Sequence, residues 1–262
     1  MSFGINHYLC SQKINNMKKI YALLCLFCPL MAFSQETSVT YVTENEKCII
    51  WQPGVKLTFE MFENVNPDTA DIRIMKKMNS QLMPYTLLAY VVDVPKVPKV
   101  IKRGRKKILQ PDKGYFAAEF SKSWSCIIGR DSFDLKCAQL IWDAQELSTR
   151  VSRIWLDDIQ KKIGKPTDNL YTMYLMTAVD GGREYFGKLF SKILNYVQTP
   201  RDQDRYLEYR RWIDKELEST SKFATSKEEA TRFILGKPID PDMEQAKSIV
   251  GVLGGGRDSS EE

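Results

Sequence analysis

From Ser132 onward the chain carries the pattern that most constrains its fold. Cys137, Leu140, Ile141, Ala144, Leu147, Val151, Ile154 and Trp155 recur at intervals of three and four residues. At 3.6 residues per turn such positions return to one side, so they draw one apolar stripe along about five turns of α-helix. Asp131 or Ser132 supplies the N-cap, and Gly164 and Pro166 end the helix. Any fold for this chain has to bury that stripe.

Ahead of the helix the pattern is β. Residues 44–62, ENEKCIIWQPGVKLTFEMF, read as a strand, a Pro-Gly turn and a second apolar segment. Residues 64–71, NVNPDTAD, read as a loop. Residues 84–94, PYTLLAYVVDV, are β-branched and aromatic, as a strand requires. GYFAAEF and SWSCIIG, between Gly114 and Gly129, add one or two more. Between them lies PKVPKVIKRGRKKILQPDKG, residues 95–114, with eight basic residues and one acid. Its prolines oppose a central strand, so it is expected as a protruding hairpin tip or loop.

After the long helix, further helices are expected over 168–179, 183–198, 202–220, 226–235 and 240–250, then a disordered tail over 251–262. Strands first and helices later imply an α+β fold: a small antiparallel or mixed sheet packed on a long helix, followed by a helical C-terminal region. The expected division is an α+β domain over 35–163 and a helical region over 164–250 packed on it.

The first 34 residues read as a secretory signal. Lys18 and Lys19 form the basic flank, residues 20–33 are an uncharged apolar run of 14, and Ala32 and Ser34 frame a cut before Gln35. Met17 directly precedes the lysines, so residues 1–16 read as an extension upstream of the true start. The run is too short to span a bilayer comfortably. No transmembrane segment is therefore expected after cleavage, and the expected location is the periplasm or beyond, in a Gram-negative type of envelope. The formal charge of +5 owes three lysines to this segment; without it 35 basic residues face 33 acidic ones, and nothing points to a nucleic-acid partner.

The same cut removes His7, the chain's one histidine. No Ser-His or Cys-His nucleophile pair remains. Cys48, Cys126 and Cys137 survive; one disulfide would leave one cysteine over, and three buried thiols packed as small hydrophobes is the other reading.

Several short elements then fall in a particular order. IIW ends at Trp51, LTFEMF runs over 57–62, and Ser123 and Trp124 form an SW pair. Cys137 follows Trp124 by 13 residues, and Gln139, Trp142, Asp143, Glu146 and Arg150 come next. In this the chain, over roughly 46–160, resembles a family of secreted bacterial domains of unknown function described as predicted zinc-dependent proteases. That family has a tryptophan-led strand, an LTW-x-DF-like element, an SW pair and a helix reading roughly H-E-Q-x-H-F-D-x-x-E-x-x-x-R. The resemblance implies a zincin-like core.

The departures bear on function. An H-E-x-x-H helix sets two imidazoles one turn apart on one Zn²⁺, beside a glutamate that acts as general base. Here Cys137, Ala138 and Ile141 stand at those places. Isoleucine cannot ligate a metal and alanine cannot move a proton. Cys137 needs further ligands from elsewhere, and Glu146, at a possible third-ligand position, binds zinc poorly alone. Asp143, Glu146 and Arg150 are expected to cap, pair and solvate the helix. The motif is read as degenerate, with no catalytic residue, metal or cofactor assigned.

Two stretches are candidates for binding. In the basic stretch, Lys102, Arg103, Arg105, Lys106 and Lys107 are a possible anion-binding set for a phosphorylated envelope polymer or an acidic envelope protein. In RYLEYRRWIDKEL, residues 205–217, Tyr206, Tyr209 and Trp212 recur among arginines, the pattern of core packing or of an interface. The expected function is that of an exported, non-catalytic binding or structural module. The alternative is a hydrolase, or a cysteine-ligated metalloprotein, working through a different site.

Overall fold

A computed structural model describes residues 40–97, 100–103, 106–163 and 170–247, with the backbone alone at 101–109, 163 and 170–173. The signal segment, the stop signals Gly164 and Pro166 and the tail over 251–262 lie outside the described residues.

The elements in order are β1 (Cys48–Ile50), a 3-10 turn (Phe59–Met61), α1 (Thr69–Lys77), β2 (Leu82–Met83), β3 (Thr86–Pro95), β4 (Val100–Arg103), β5 (Lys106–Leu109), β6 (Lys113–Ser121) and β7 (Cys126–Ile127). The helical part follows: α2 (Ser132–Ile163), α3 (Leu170–Ile193) running into a π-helical turn (Leu194–Gln198), α4 (Gln203–Ser219) and α5 (Lys227–Leu235), then β8 (Met243–Gln245). The fold is α+β. Its main sheet is antiparallel throughout, in the order β1-β6-β3-β8. The expected hairpin is the separate ribbon β4–β5.

One face of the sheet meets α2 along the helix. Ala138 and Trp142 lie with Ile49, Ala118 and Phe120, while further along Leu156 joins Leu88, Val92 and Phe116, with Leu175, Ala178 and Val179 of α3. The other face carries α5, where Ala230, Phe233 and Ile234 cover Ile50, Ala89 and Ala117. On its far side α2 packs Cys137, Leu140, Ile141, Ala144 and Leu147 on Leu189 and Ile193 of α3, Val197 of the π-helical turn and Ile213 of α4. Every residue over 137–150 is therefore buried, all the way round the helix. The apolar stripe holds through Leu147, but Trp155 has left it and is 45% exposed.

Local chemistry explains the boundaries. The Asp131 carboxylate accepts from the Phe133 and Asp134 N–H groups and opens α2, as expected of a cap. Asp68 does the same for α1, accepting from Ala70 N and Asp71 N. The loop expected over 64–71 therefore ends at Asp68, and Thr69 is already helical. The two helices expected over 168–179 and 183–198 are one. Gly181 and Gly182 do not break it because α2 lies against them: a Cβ on Gly182 would meet Ser152 Oγ at 2.1 Å, and the Ser148 hydroxyl donates to the Gly182 carbonyl at 2.7 Å. The helix expected over 240–250 is replaced, as far as it is described, by β8, whose residues pair with Asp93, Val94 and Pro95.

Ile141 is 1% exposed in the α2–α3–α4 core. Ile141→Ala is expected to destabilise the fold by about 2–5 kcal/mol, the usual cost of a large-to-small core change. Denaturant unfolding measures it; an unmoved midpoint would contradict this packing.

Candidate functional site

The helix positions singled out by sequence separate into two kinds. Cys137 and Ile141 face the α3–α4 core, and Ala138 faces the sheet core. All three are closed into apolar surroundings, and burial pushes the Cys137 thiol up to about 12. A thiol so protected stays protonated at neutral pH and is neither nucleophile nor ready ligand. Burial likewise raises Cys48 and Cys126 to about 11, and all three cysteines are free. Among the described residues no group of three or more His, Cys, Asp or Glu side chains is arranged to hold a metal ion.

The retained polar positions are also buried, which corrects the expectation that they solvate the helix. Asp143 is 4% exposed and Glu146 and Arg150 are 0% and 2% exposed. A charge inside a core is tolerated only when paired and hydrogen-bonded, and each of these is. Asp143 Oδ1 accepts from the Trp51 indole N–H at 2.7 Å and from Gln139 Nε2 at 3.0 Å. Its Oδ2 takes the Arg210 guanidinium of α4, which also reaches Asp214. Gln139 turns its oxygen to the Leu57 N–H at 2.8 Å. The carboxylate thus ties the segment after β1 and helix α4 to α2.

Glu146, one turn on, accepts from Arg150 Nε at 2.8 Å and from the Thr225 hydroxyl at 3.2 Å. The Arg150 guanidinium also donates to the Leu217 carbonyl and lies 5.2 Å over the Trp51 ring. Arg153 donates to the Phe116 and Phe223 carbonyls and pairs with Glu229 at 3.3 Å. Gln139, Asp143, Glu146, Arg150 and Arg153 therefore form one polar spine along α2. Its partners come from the segment after β1, β6, α4 and the 217–229 segment. Trp142, at the phenylalanine position of the resemblance, packs its ring 5.8 Å from Phe120.

This arrangement clamps; it does not present a reactive group. Both carboxylates have their oxygens committed to cations, N–H donors or the Thr225 hydroxyl, and neither lines the grooves beside α4, β3 or β6. Sequence reasoning missed Arg153, Arg210 and Thr225, and also the buried pair Asp93–Arg232 at 2.6 Å that fastens α5 to β3. The i,i+4 spacing of Glu146 and Arg150 was legible as a helix pair. The others join residues 37 or more apart, and no local pattern marks them.

The two binding candidates fare differently. In the basic ribbon, Lys102 pairs in register with Lys107 and Arg103 with Lys106, whereas Arg105 lies outside the described residues. At its base Lys113 pairs with Asp240 at 3.2 Å and Lys96 donates to the Pro241 carbonyl at 2.8 Å, so these two brace the ribbon. On α4, Tyr206 and Tyr209 pack on the core while Trp212 is 39% exposed. With Leu189, Lys192, Tyr196, Arg205 and Glu208 the latter two line a groove of about 330 Å³. Among the described residues no helix is long and apolar enough to cross a membrane.

No family model matches the chain, and neither the curated proteins nor the solved structures contain a match to it.

Glu146 gives this site a pH signature. Burial lifts its carboxyl above the ordinary 4.5, outweighing Arg153 and Arg150, which pull it down. The folded state then holds the proton to higher pH than the unfolded chain. The group's contribution is complete below about 4.5 and is lost as pH rises through the raised pKa. Glu146→Gln keeps the neutral shape and removes that loss. Relative to wild type, the variant is expected to gain stability as pH rises from 4.5 in chemical denaturation. A difference that stays flat with pH would contradict the assignment.

Proposed function

We propose that this chain is an exported, non-catalytic envelope protein, a binding or structural module on a degenerate zincin-like core. The observation that carries the reading is α2. The positions that the resemblance gives to metal ligands and base hold Cys137, Ala138 and Ile141, each sealed in apolar packing. Glu146, the remaining carboxylate, is engaged by Arg150 and Thr225. The basic flank, apolar run and small residues of the first 34 positions support export.

The contact with a partner is assigned to the β4–β5 ribbon, and the partner is anionic. Its register sets cation opposite cation at Lys102–Lys107 and Arg103–Lys106. A polyanion is drawn to such a local concentration of positive charge. The charge is local, since beyond residues 95–114 the expected mature chain has 27 basic and 32 acidic residues.

The test replaces Lys102, Arg103, Arg105, Lys106 and Lys107 together by glutamine. Retention on heparin, lipopolysaccharide and envelope extract is expected to fall, and wild-type retention to weaken with salt as screening shortens to about 8 Å at physiological ionic strength. Unchanged retention with an intact circular dichroism spectrum would remove the ribbon from consideration. Stoichiometric zinc in the purified protein, lost on Cys137→Ala, would overturn the non-catalytic reading.

A further inference from the structure

The groove beside α4 has two helical banks. Lys192, in the last turn of α3, and Tyr196, in the π-helical turn, stand four residues apart on one bank. Arg205, Tyr209 and Trp212 follow at i, i+4 and i+7 along α4 and form the other. The valley between them has a volume of about 330 Å³. That is near the lower end of small-molecule pockets, roughly 300–1,000 Å³, and has room for a ring or two rather than a helix.

The π-helical turn sets its aromatic surface. Here i→i+5 bonds run from the Thr199 N–H to the Leu194 carbonyl at 2.9 Å and from the Asp202 N–H to the Val197 carbonyl at 3.0 Å. The wider turn lets two neighbours, Val197 and Gln198, both face inward and be buried. Tyr196 is left facing out, 59% exposed. Single π turns of this kind recur at functional sites. Trp212 is exposed as well, and among the described residues neither ring belongs to a core cluster. Tyr209, which does pack on the core, joins the two into one aromatic lining.

The polar groups around the rings select the occupant. Arg205 and Glu208 pair at 2.7 Å and cancel each other's charge. Among the described residues no carboxylate pairs with Lys192, so the groove carries one net positive charge. An apolar helix laid over it would bury Lys192, Arg205 and Glu208 away from water, which is costly. A sugar ring carrying a carboxylate meets every group. The C–H face of a pyranose is apolar and lies flat on an aromatic ring. Its hydroxyls point outward from the ring edge, and each both donates and accepts, as the Arg205–Glu208 pair requires. The carboxylate completes a charge-assisted bond with Lys192.

We propose that this groove binds an acidic pyranose ring of an oligosaccharide, stacked on Trp212, Tyr209 and Tyr196, with its carboxylate on Lys192. The site shares no residue with the β4–β5 ribbon.

Calorimetric titration of the full chain with trigalacturonic acid tests this. Saturable binding is expected, and Trp212→Ala and Tyr196→Ala are each expected to weaken it about tenfold. Lys192→Gln is expected to weaken the acid by a similar factor and to leave the affinity of its neutral methyl ester unchanged. All three positions are exposed, and an unmoved thermal unfolding transition certifies the fold of each variant. The variant with the five ribbon cations replaced by glutamine is expected to bind as wild type does, so this site and the ribbon contact fail separately. Absence of saturable binding would overturn the proposal, as would an affinity that the three groove variants leave unchanged. Loss of binding in the ribbon variant, or tighter binding of uridine monophosphate, the mark of a nucleotide site, would overturn it too.

Discussion

Fourteen consecutive residues of α2, 137–150, are buried, yet seven of them are polar or charged. The rest of the architecture depends on that conflict. An unpaired charge in a core costs several kcal/mol, so each polar group on α2 has to bring in a partner. Within the helix Gln139–Asp143 and Glu146–Arg150 serve each other at i,i+4, and the Thr149 hydroxyl donates to the Gln145 carbonyl. The other partners are drawn from distant segments: Trp51 and Leu57 beside β1, Arg210 and Leu217 on α4, Thr225 before α5. Satisfying one helix thereby fixes the position of three other segments.

Buried ion pairs of this kind are weak sources of net stability, because desolvation offsets most of their attraction. Their effect is on placement. An apolar face of α4 alone would tolerate sliding along α2, since Leu, Ile and Val exchange contacts at small cost. Arg210 bonded to both Asp143 and Asp214 does not allow it. Asp93–Arg232 does for α5 on the sheet what Asp143–Arg210 does for α4 on α2. A reactive centre needs a group kept accessible and incompletely satisfied. In α2 the carboxylates are enclosed and fully engaged, which is why the site reads as a clamp.

The elements governed by local rules were legible. The apolar stripe through Leu147, the Asp131 cap, the strand from Thr86 and the basic hairpin all follow from periodicity and turn chemistry. The misreadings have physical causes. Asp143, Glu146 and Arg150 have the spacing of a solvated face, and charge spacing on a helix cannot reveal that its polar side is also covered. Gly181 and Gly182 lie between the two helices expected over 168–179 and 183–198, yet α3 passes through them unbroken, directly against α2. The sequence around β8 implies helix because three residues carry too little pattern to show which edge they pair with.

A double-mutant cycle at Asp143 and Arg210 tests the clamp most directly. Asp143→Asn, Arg210→Met and the double variant are unfolded by denaturant, and the non-additive part is taken. The account predicts a coupling of about 1–3 kcal/mol, within the range for residues in one buried network. Single-variant effects that add to within about 0.5 kcal/mol would contradict it. In that case the charges on α2 are passengers in the core and do not hold α4 in place.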